Sequence, residues 1–255
     1  MLLEINNAGK RFGGLEALRG VNLRFESGSI YGLIGPNGSG KTTLFNLITG
    51  VGPATNGTVR FLGEDITTKS PHEIAARGIA RTYQLVRPFY GLTAMENVKV
   101  GVLFGRSTRQ AKLQNLEAEA YKYLTLVGLE GKSNAVISEL NLGERKRLEI
   151  AKALAAQPKM VLFDEVLAGL NPTETVDAVA LLGRILEFGA TILMIEHNMQ
   201  AIMSACSHIF VLHHGELIAE GSPQKITTDP KVVEAYLGRK DLNLERRKRK
   251  AVPSA

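Results

Sequence analysis

Apolar runs and their spacing divide the chain into alternating strands and helices. Leu2–Asn6, Val21–Glu26, Ile30–Ile34 and Thr58–Gly63 are apolar or alternating stretches punctuated by Gly, Asn and Ser, a pattern that predicts strands. Pro71–Gly78 reads as a short helix with Pro71 at its first position, and Ile79–Tyr83 as a strand ending at Gln84. From residue 85 to 139 the pattern changes. A loop carrying Phe89 and Tyr90 leads into a helix near Ala94–Gly101. A second helix is predicted over Ala111–Val127, with Leu113, Leu116, Ala120, Leu124 and Val127 on one face and Gly128 as its stop. The polar turn Leu140–Glu144 opens into a helix over Arg145–Ala156, closed by Gln157 and Pro158. Met160–Asp164 and Thr191–Ile195 are buried strands by their unbroken apolar character. The turn Ala168–Pro172 and a helix capped by Thr173 and running to Phe188 separate them. Ile209–Glu220 reads as a hairpin turning at His214-Gly215, and two short helices follow over 223–238. Strands first, then strands alternating with helices, predict an α/β chain. It has an antiparallel N-terminal portion, a mixed or parallel central sheet, and a helical insertion at about 86–157.

One stretch adds chemistry to this outline. Gly35-Pro-Asn-Gly-Ser-Gly-Lys-Thr42, followed by Thr43, lies between the strand Ile30–Ile34 and a helical pattern from Thr42 to Thr49. Strand, glycine-rich turn and helix in that order make G-x-x-x-x-G-K-[ST] a phosphate loop, so the core is of the P-loop nucleotide-binding kind. The glycines let successive N–H groups of Asn37, Gly38, Ser39 and Gly40 point into one concavity, and the helix adds its positive end. Lys41 can reach terminal phosphates, and Thr42 can offer a hydroxyl to Mg²⁺. Asp164 and Glu165 end a buried strand. Asp164 is suited to hold Mg²⁺ through water, and Glu165 to orient or deprotonate an attacking water. His197 follows another strand end, where the chemistry of such sheets concentrates. Phe12, in a loop-like stretch over Lys10–Gly14, can stack on an adenine ring. Leu140–Glu144, opening directly into a helix, is a second anion site. A compact monomer need not bring both helix ends to one nucleotide, so two chains sharing each nucleotide is a possibility.

Composition narrows the class further. The chain has 255 residues, 44% of them apolar, enough for a sizeable core. Cys206 is the only cysteine, which excludes internal disulfides and cysteine-built zinc clusters. No apolar run approaches the roughly 18 residues needed to span a bilayer. The first residues lack a basic segment and a cleavage site, so no signal peptide is expected and the cytoplasm is favoured. The net charge of +6 resides mostly in residues 239–255, where seven basic residues stand against two acidic ones. The remaining body is nearly neutral, which argues against nucleic acid as a partner. The tail is expected to be a solvated, disordered end, with attraction to anionic lipid headgroups as the other reading.

The ordered set Phe12, Gly35–Thr43, Gln84, Leu140–Glu144, Asp164-Glu165, Ala168–Pro172 and His197 resembles the ATP-binding subunit of an ABC transporter, over residues 1–238. Within that superfamily several segments resemble the branched-chain amino-acid transporter ATPases. They are Phe12–Leu18, Ile79–Gln84, Arg147–Lys152, Ala168–Pro172, Ile195–Asn198 and Ala235-Tyr-Leu-Gly238. The resemblance implies an ATPase domain over 1–238, with ATP and Mg²⁺ as cofactors. Phe12 would stack on adenine, Asn37 through Thr43 would cradle phosphate, and Thr42 and Asp164 would serve Mg²⁺. Gln84 would sense metal and γ-phosphate and relay to membrane subunits, Glu165 would be the catalytic base, and His197 would touch the γ-phosphate. Asn141, Leu142, Gly143 and Glu144 would contact ATP held by an opposing subunit. The implied partners are a second ATPase subunit (a different chain, or a second copy), permease subunits and, indirectly, an extracytoplasmic solute-binding protein. The implied place is the cytoplasmic face of the membrane. The sequence departs from the family's Leu-Ser-Gly-Gly-Gln at Asn141, Leu142 and Glu144, and Val166 stands where proline usually follows the acidic pair. A lipopolysaccharide-export ATPase and a soluble, non-transport ABC ATPase are the alternative readings.

Overall fold

The computed structural model describes residues 1–83, 88–105 and 115–236. Strands β1 (Leu3–Phe12), β2 (Leu15–Phe25), β4 (Asn56–Phe61) and β5 (Glu64–Asp65) form an antiparallel sheet in the order β2-β1-β4-β5. The second sheet comprises β3 (Ile30–Ile34), β6 (Ile79–Arg81), β7 (Met160–Asp164), β8 (Thr191–Ile195), β9 (His208–His213) and β10 (Glu216–Gly221). Its order is β10-β9-β3-β8-β7-β6, parallel throughout except for the β9–β10 hairpin.

The unbroken apolar runs have a physical explanation in this sheet, because both of its faces are covered. Side chains alternate between the faces along each strand. Ile30, Ile34, Val161, Phe163, Ile192, Met194, Ile209 and Val211 belong to one core. Tyr31, Leu33, Met160, Leu162, Leu193, Ile195, Phe210 and Leu212 belong to the other. The second core is completed by β1, β2 and β4 and by helix α1 (Lys41–Ile48), which buries Leu44, Phe45, Leu47 and Ile48.

After α2 (Pro71–Arg77), three helices build the insertion: α3 (Ala94–Phe104), α4 (Leu116–Leu126) and α5 (Leu142–Ala155). Val98, Val102, Ala120, Leu124, Leu148 and Leu154 close its interior, which is continuous with the first core. Gly101 permits the close crossing of α3 and α5, since a Cβ there would lie 2.4 Å from the Lys152 carbonyl oxygen. The fold continues with α6 (Pro172–Glu187), α7 (Met199–Ala205) and α8 (Pro223–Thr228), and residues 231–236 are helical. No helix among the described residues is long and apolar enough to cross a membrane.

Several boundaries differ from the sequence expectations, each for a local reason. Phe12 is not in a loop but ends β1, because Lys10, Arg11 and Phe12 pair with Leu18, Glu16 and Leu15 around a turn of only Gly13 and Gly14. Helix α5 starts at Leu142 rather than Arg145. Asn141 and Glu144 form a reciprocal capping box, with Asn141 Oδ1 accepting from the Glu144 N–H at 2.8 Å. The same device moves the start of α6 ahead of Thr173. Asn171 Oδ1 accepts from the Glu174 N–H at 2.9 Å, so Asn171 and not Thr173 is the cap. Helix α7 has no counterpart in the expected elements. Residues 111–114 and the tail 239–255 lie outside the described residues.

Candidate functional site

The phosphate loop leaves the end of β3, which sits between β8 and β9 in the sheet. Ser39 N–H donates to the Pro36 carbonyl at 3.2 Å, and the Leu44 N–H closes the first turn of α1 on the Gly40 carbonyl at 2.9 Å. Gly40 occupies the left-handed region at φ 105°, and a Cβ there would stand 2.7 Å from the Ala17 carbonyl oxygen. The loop therefore passes against β2 with no room for a side chain.

Lys41 is buried, and its Nζ donates to the carbonyls of Gly35 at 2.8 Å and Pro36 at 3.1 Å. Burial holds its pKa below the ordinary lysine value, against the opposing influence of Glu165 and Asp164. The ammonium is thus held inside the loop by its own backbone, beside two carboxylates.

Those carboxylates come from the end of β7. Asp164 is buried and pairs through Oδ2 with Arg81 Nη2 at 2.6 Å. Arg81, on β6, also donates through Nη1 to Asn46 Oδ1 at 2.7 Å and lies over the rings of Phe45 and Tyr83. Glu165 takes a left-handed backbone, φ 55°, and its N–H donates to the Ile195 carbonyl at 2.9 Å. Its Oε1 lies 3.0 Å from Nε2 of the exposed His197, just beyond β8. Parallel pairing of Asp164 with Ile195 brings these two strand ends level, which is why residues 32 positions apart meet.

A cavity of about 390 Å³ gathers Phe12, Asn37, Gly38, Ser39, Gly40, Lys41, Thr42, Thr43, Glu165 and His197. Phe12 stands at its rim with Leu15, Glu16 and Arg19, and the ring is half exposed. Asn141, Gly143 and the start of α5 do not reach it. They line a second cavity, of about 280 Å³, between α5 and α6. Leu142 is exposed, and the capping box engages only the carbonyl oxygen of the Asn141 amide, leaving its N–H donors. Gln84 lies outside the described residues.

The residues suit a nucleotide with its metal. Ser39 Oγ is buried within the loop with no hydrogen-bond partner among the described residues. That is a vacant donor in a concavity of backbone N–H groups. The Thr42 hydroxyl and the Asp164 carboxylate are hard oxygen donors of the kind Mg²⁺ takes.

Four residues at the site carry no chemical role in the sequence pattern. Arg81 carries one sequence signal, a charge inside an otherwise apolar strand. His214 and Gly215 line the cavity, although the sequence pattern marks them only as a hairpin turn. Gly215 N–H donates to the Ser39 carbonyl at 3.0 Å, and its own carbonyl accepts from the Arg19 N–H at 2.8 Å. Glu196, buried beside His197, is the fourth.

Comparison with known proteins agrees with this geometry. Residues 18–168 match the family model described as ABC transporter, and residues 216–241 match that described as branched-chain amino acid ATP-binding cassette transporter. The chain is 39% identical over 250 residues to the high-affinity branched-chain amino acid transport ATP-binding protein BraF of Pseudomonas aeruginosa, covering 93% of this chain and 98% of that one. It is 38% identical, with the same coverage, to LivG of Escherichia coli, which carries the same description. Among solved structures, the ADP conformation of the ATP-binding cassette MJ1267 superposes with a TM-score of 0.84 at 35% identity, covering 93% of this chain and 99% of that one. The dimeric bacterial ABC transporter cassette MJ0796 superposes at 0.78 with 26% identity, covering 87% and 99%.

Proposed function

Because the chain belongs to the ATP-binding subunits of ABC transporters, we propose that it hydrolyses ATP to energise import of branched-chain or related amino acids through separate permease subunits. The observation that carries the hydrolytic reading is the 3.0 Å contact between Glu165 and His197 at the mouth of the phosphate loop. The cargo reading rests on what the related proteins BraF and LivG are described as transporting.

In this mechanism Phe12 stacks on the base while the N–H groups of Asn37 through Thr43 and the Ser39 hydroxyl receive the phosphates. Lys41 exchanges its bonds to the Gly35 and Pro36 carbonyls for the terminal phosphate. Thr42, Gln84 and Asp164 would hold Mg²⁺, which would supply charge neutralisation at the phosphates. Glu165 orients the attacking water and accepts its proton, and His197 holds the γ-phosphate and the Glu165 carboxylate in one geometry. Phosphoryl transfer of this kind is mainly positioning and charge stabilisation. Asn141 through Glu144 contact the nucleotide of a second ATPase subunit, a different chain or a second copy, closing head to tail. That arrangement accords with the location of these residues away from this chain's own cavity, and MJ0796 is itself described as dimeric. Residues 1–238 form the ATPase domain, with about 86–157 as its helical insertion. The permeases dock near Gln84–Gly101, and the assembly sits on the cytoplasmic face of the membrane and is served by an extracytoplasmic solute-binding protein.

Glu165→Gln tests the core of this reading. A general base contributes about 10²–10⁴-fold in rate, so phosphate release is expected to fall by that factor while ATP binding is kept. Turnover at the wild-type rate would overturn the assignment of the base. Co-purification with export permeases would overturn the import reading.

A further inference from the structure

The segment that follows Glu165 is held by a carboxylate that the mechanism above does not use. Glu196 is 3% exposed at the end of β8, and its Oε1 accepts the Leu167 N–H at 2.7 Å. The same short turn is closed by the Ala168 N–H on the Glu165 carbonyl at 3.2 Å, and Lys146 of α5 donates to the Ala168 carbonyl. Glu165 itself sits at φ 55°, a backbone region that a residue with a side chain keeps only where its surroundings over-determine it. The fixed points around it are the Ile195 carbonyl on one side and Glu196 on the other. Both belong to the strand end that also carries His197.

We propose that Glu196 is a positioning residue for Glu165. By accepting the Leu167 N–H it fixes the turn whose left-handed start aims the Glu165 carboxylate at His197 and at the phosphate end of the cavity. The role rests on the ATPase reading above and deepens it. Burying a carboxyl group without an ionic partner is unfavourable, and burial raises this one to about 7. The charged groups facing it are Lys146 from α5 and Glu165 from the end of β7; the His197 backbone N–H also donates to it, the titratable His197 imidazole is on the next residue, and the buried thiol of Cys206 lies beyond α7. An expensive group retained in this place, accepting backbone N–H groups from Leu167 of the catalytic turn and from His197, marks a geometric role.

The test compares Glu196→Leu, which removes the acceptor, with Glu196→Gln, which keeps an oxygen there. Turnover at saturating ATP, ATP affinity, and amide exchange of the 163–169 segment are measured on the full chain. Glu196→Leu is expected to lower turnover at least about tenfold with ATP affinity within about twofold, and to accelerate exchange at 163–169 selectively. Glu196→Gln is expected to stay within about threefold of wild type in turnover and to keep slow exchange. The proposal is overturned by a folded Glu196→Leu with unchanged turnover, by parallel loss of ATP binding, or by a Glu196→Gln as impaired as Glu196→Leu. If the leucine variant does not fold, the glutamine variant alone decides. A wild-type chain without ATPase activity would defeat the enzymatic reading, while the exchange measurement would still judge the Glu196–Leu167 tie.

Discussion

Arg81 and Asp164 form an ion pair at 2.6 Å in which the two side chains are only 6% and 9% exposed. The remaining Asp164 oxygen, Oδ1, accepts no hydrogen bond among the described residues. One carboxylate oxygen is thus fixed by the protein, and in the proposed mechanism the other would serve Mg²⁺. The guanidinium is itself anchored to Asn46 of α1, so β6, β7 and the helix after the phosphate loop share one polar joint. Removing one partner of a buried pair strands the other. Arg81→Met is therefore expected to lower unfolding stability by about 3–5 kcal/mol. Breaking the exposed Arg24–Glu4 pair should cost no more than about 1 kcal/mol. Urea unfolding of the two variants side by side checks the contrast.

Glu196 gives stability a pH dependence. Folding raises its carboxyl from the ordinary glutamate value of 4.5 to about 7, chiefly through burial. Between those pH values the folded chain keeps a proton that the unfolded chain releases, so this group makes stability fall as pH rises, by up to about 3 kcal/mol. Glu196→Gln should match wild type near pH 4.5 and exceed it above pH 7. Urea midpoints at pH 5 and pH 8 measure the difference, and an equal gap at both would contradict the assignment.

Phe12 offers a cleaner separation of binding from folding. Its ring is 53% exposed at the cavity rim, with the Lys10 ammonium 5.1 Å from its centroid. Stacking of a base on an aromatic ring contributes about 1–3 kcal/mol. Phe12→Ala should therefore weaken ATP binding about tenfold while leaving thermal unfolding nearly unchanged. Calorimetric titration with a non-hydrolysable ATP analogue is the measurement.

Phe89 and Tyr90 are exposed on the insertion, at 47% and 66%. Lys152 lies over the Phe89 ring, and the Phe89 backbone is pinned by Asn97, so the loop has a fixed shape without burying its aromatic rings. Replacing both with Ser should change stability by less than about 0.5 kcal/mol and abolish co-purification with the permeases. Retained assembly would locate the docking surface elsewhere.

The alternation rule and the phosphate-loop motif make the strands and the Gly35–Thr43 loop legible in the sequence. Asp164, Glu165 and His197 were readable as strand ends for the same reason. Phe12 was misplaced into a loop because glycines on one side and charged residues on the other mask a strand whose partner begins only three residues later. Asn141 and Asn171 were missed as caps because each depends on a glutamate three residues on turning back to the chain. The sequence marks Arg81 only as a charge inside an apolar strand and Glu196 only as a strand-end residue, and it shows neither one's partner. Their partners are 83 and 29 positions away, and only sheet register brings those distances to a hydrogen bond.

The turn at Gly215 joins the Ser39 carbonyl to the backbone of Arg19, so the phosphate loop and the strand beside the Phe12 rim are bridged through a third element. With Gly40 pressed against Ala17, the span between the Phe12 rim and the phosphate loop is set by the scaffold. The site works as a fixed gauge. If Phe12 stacks on the base as proposed, a change at the hairpin turn is expected to alter the grip on base and phosphate together.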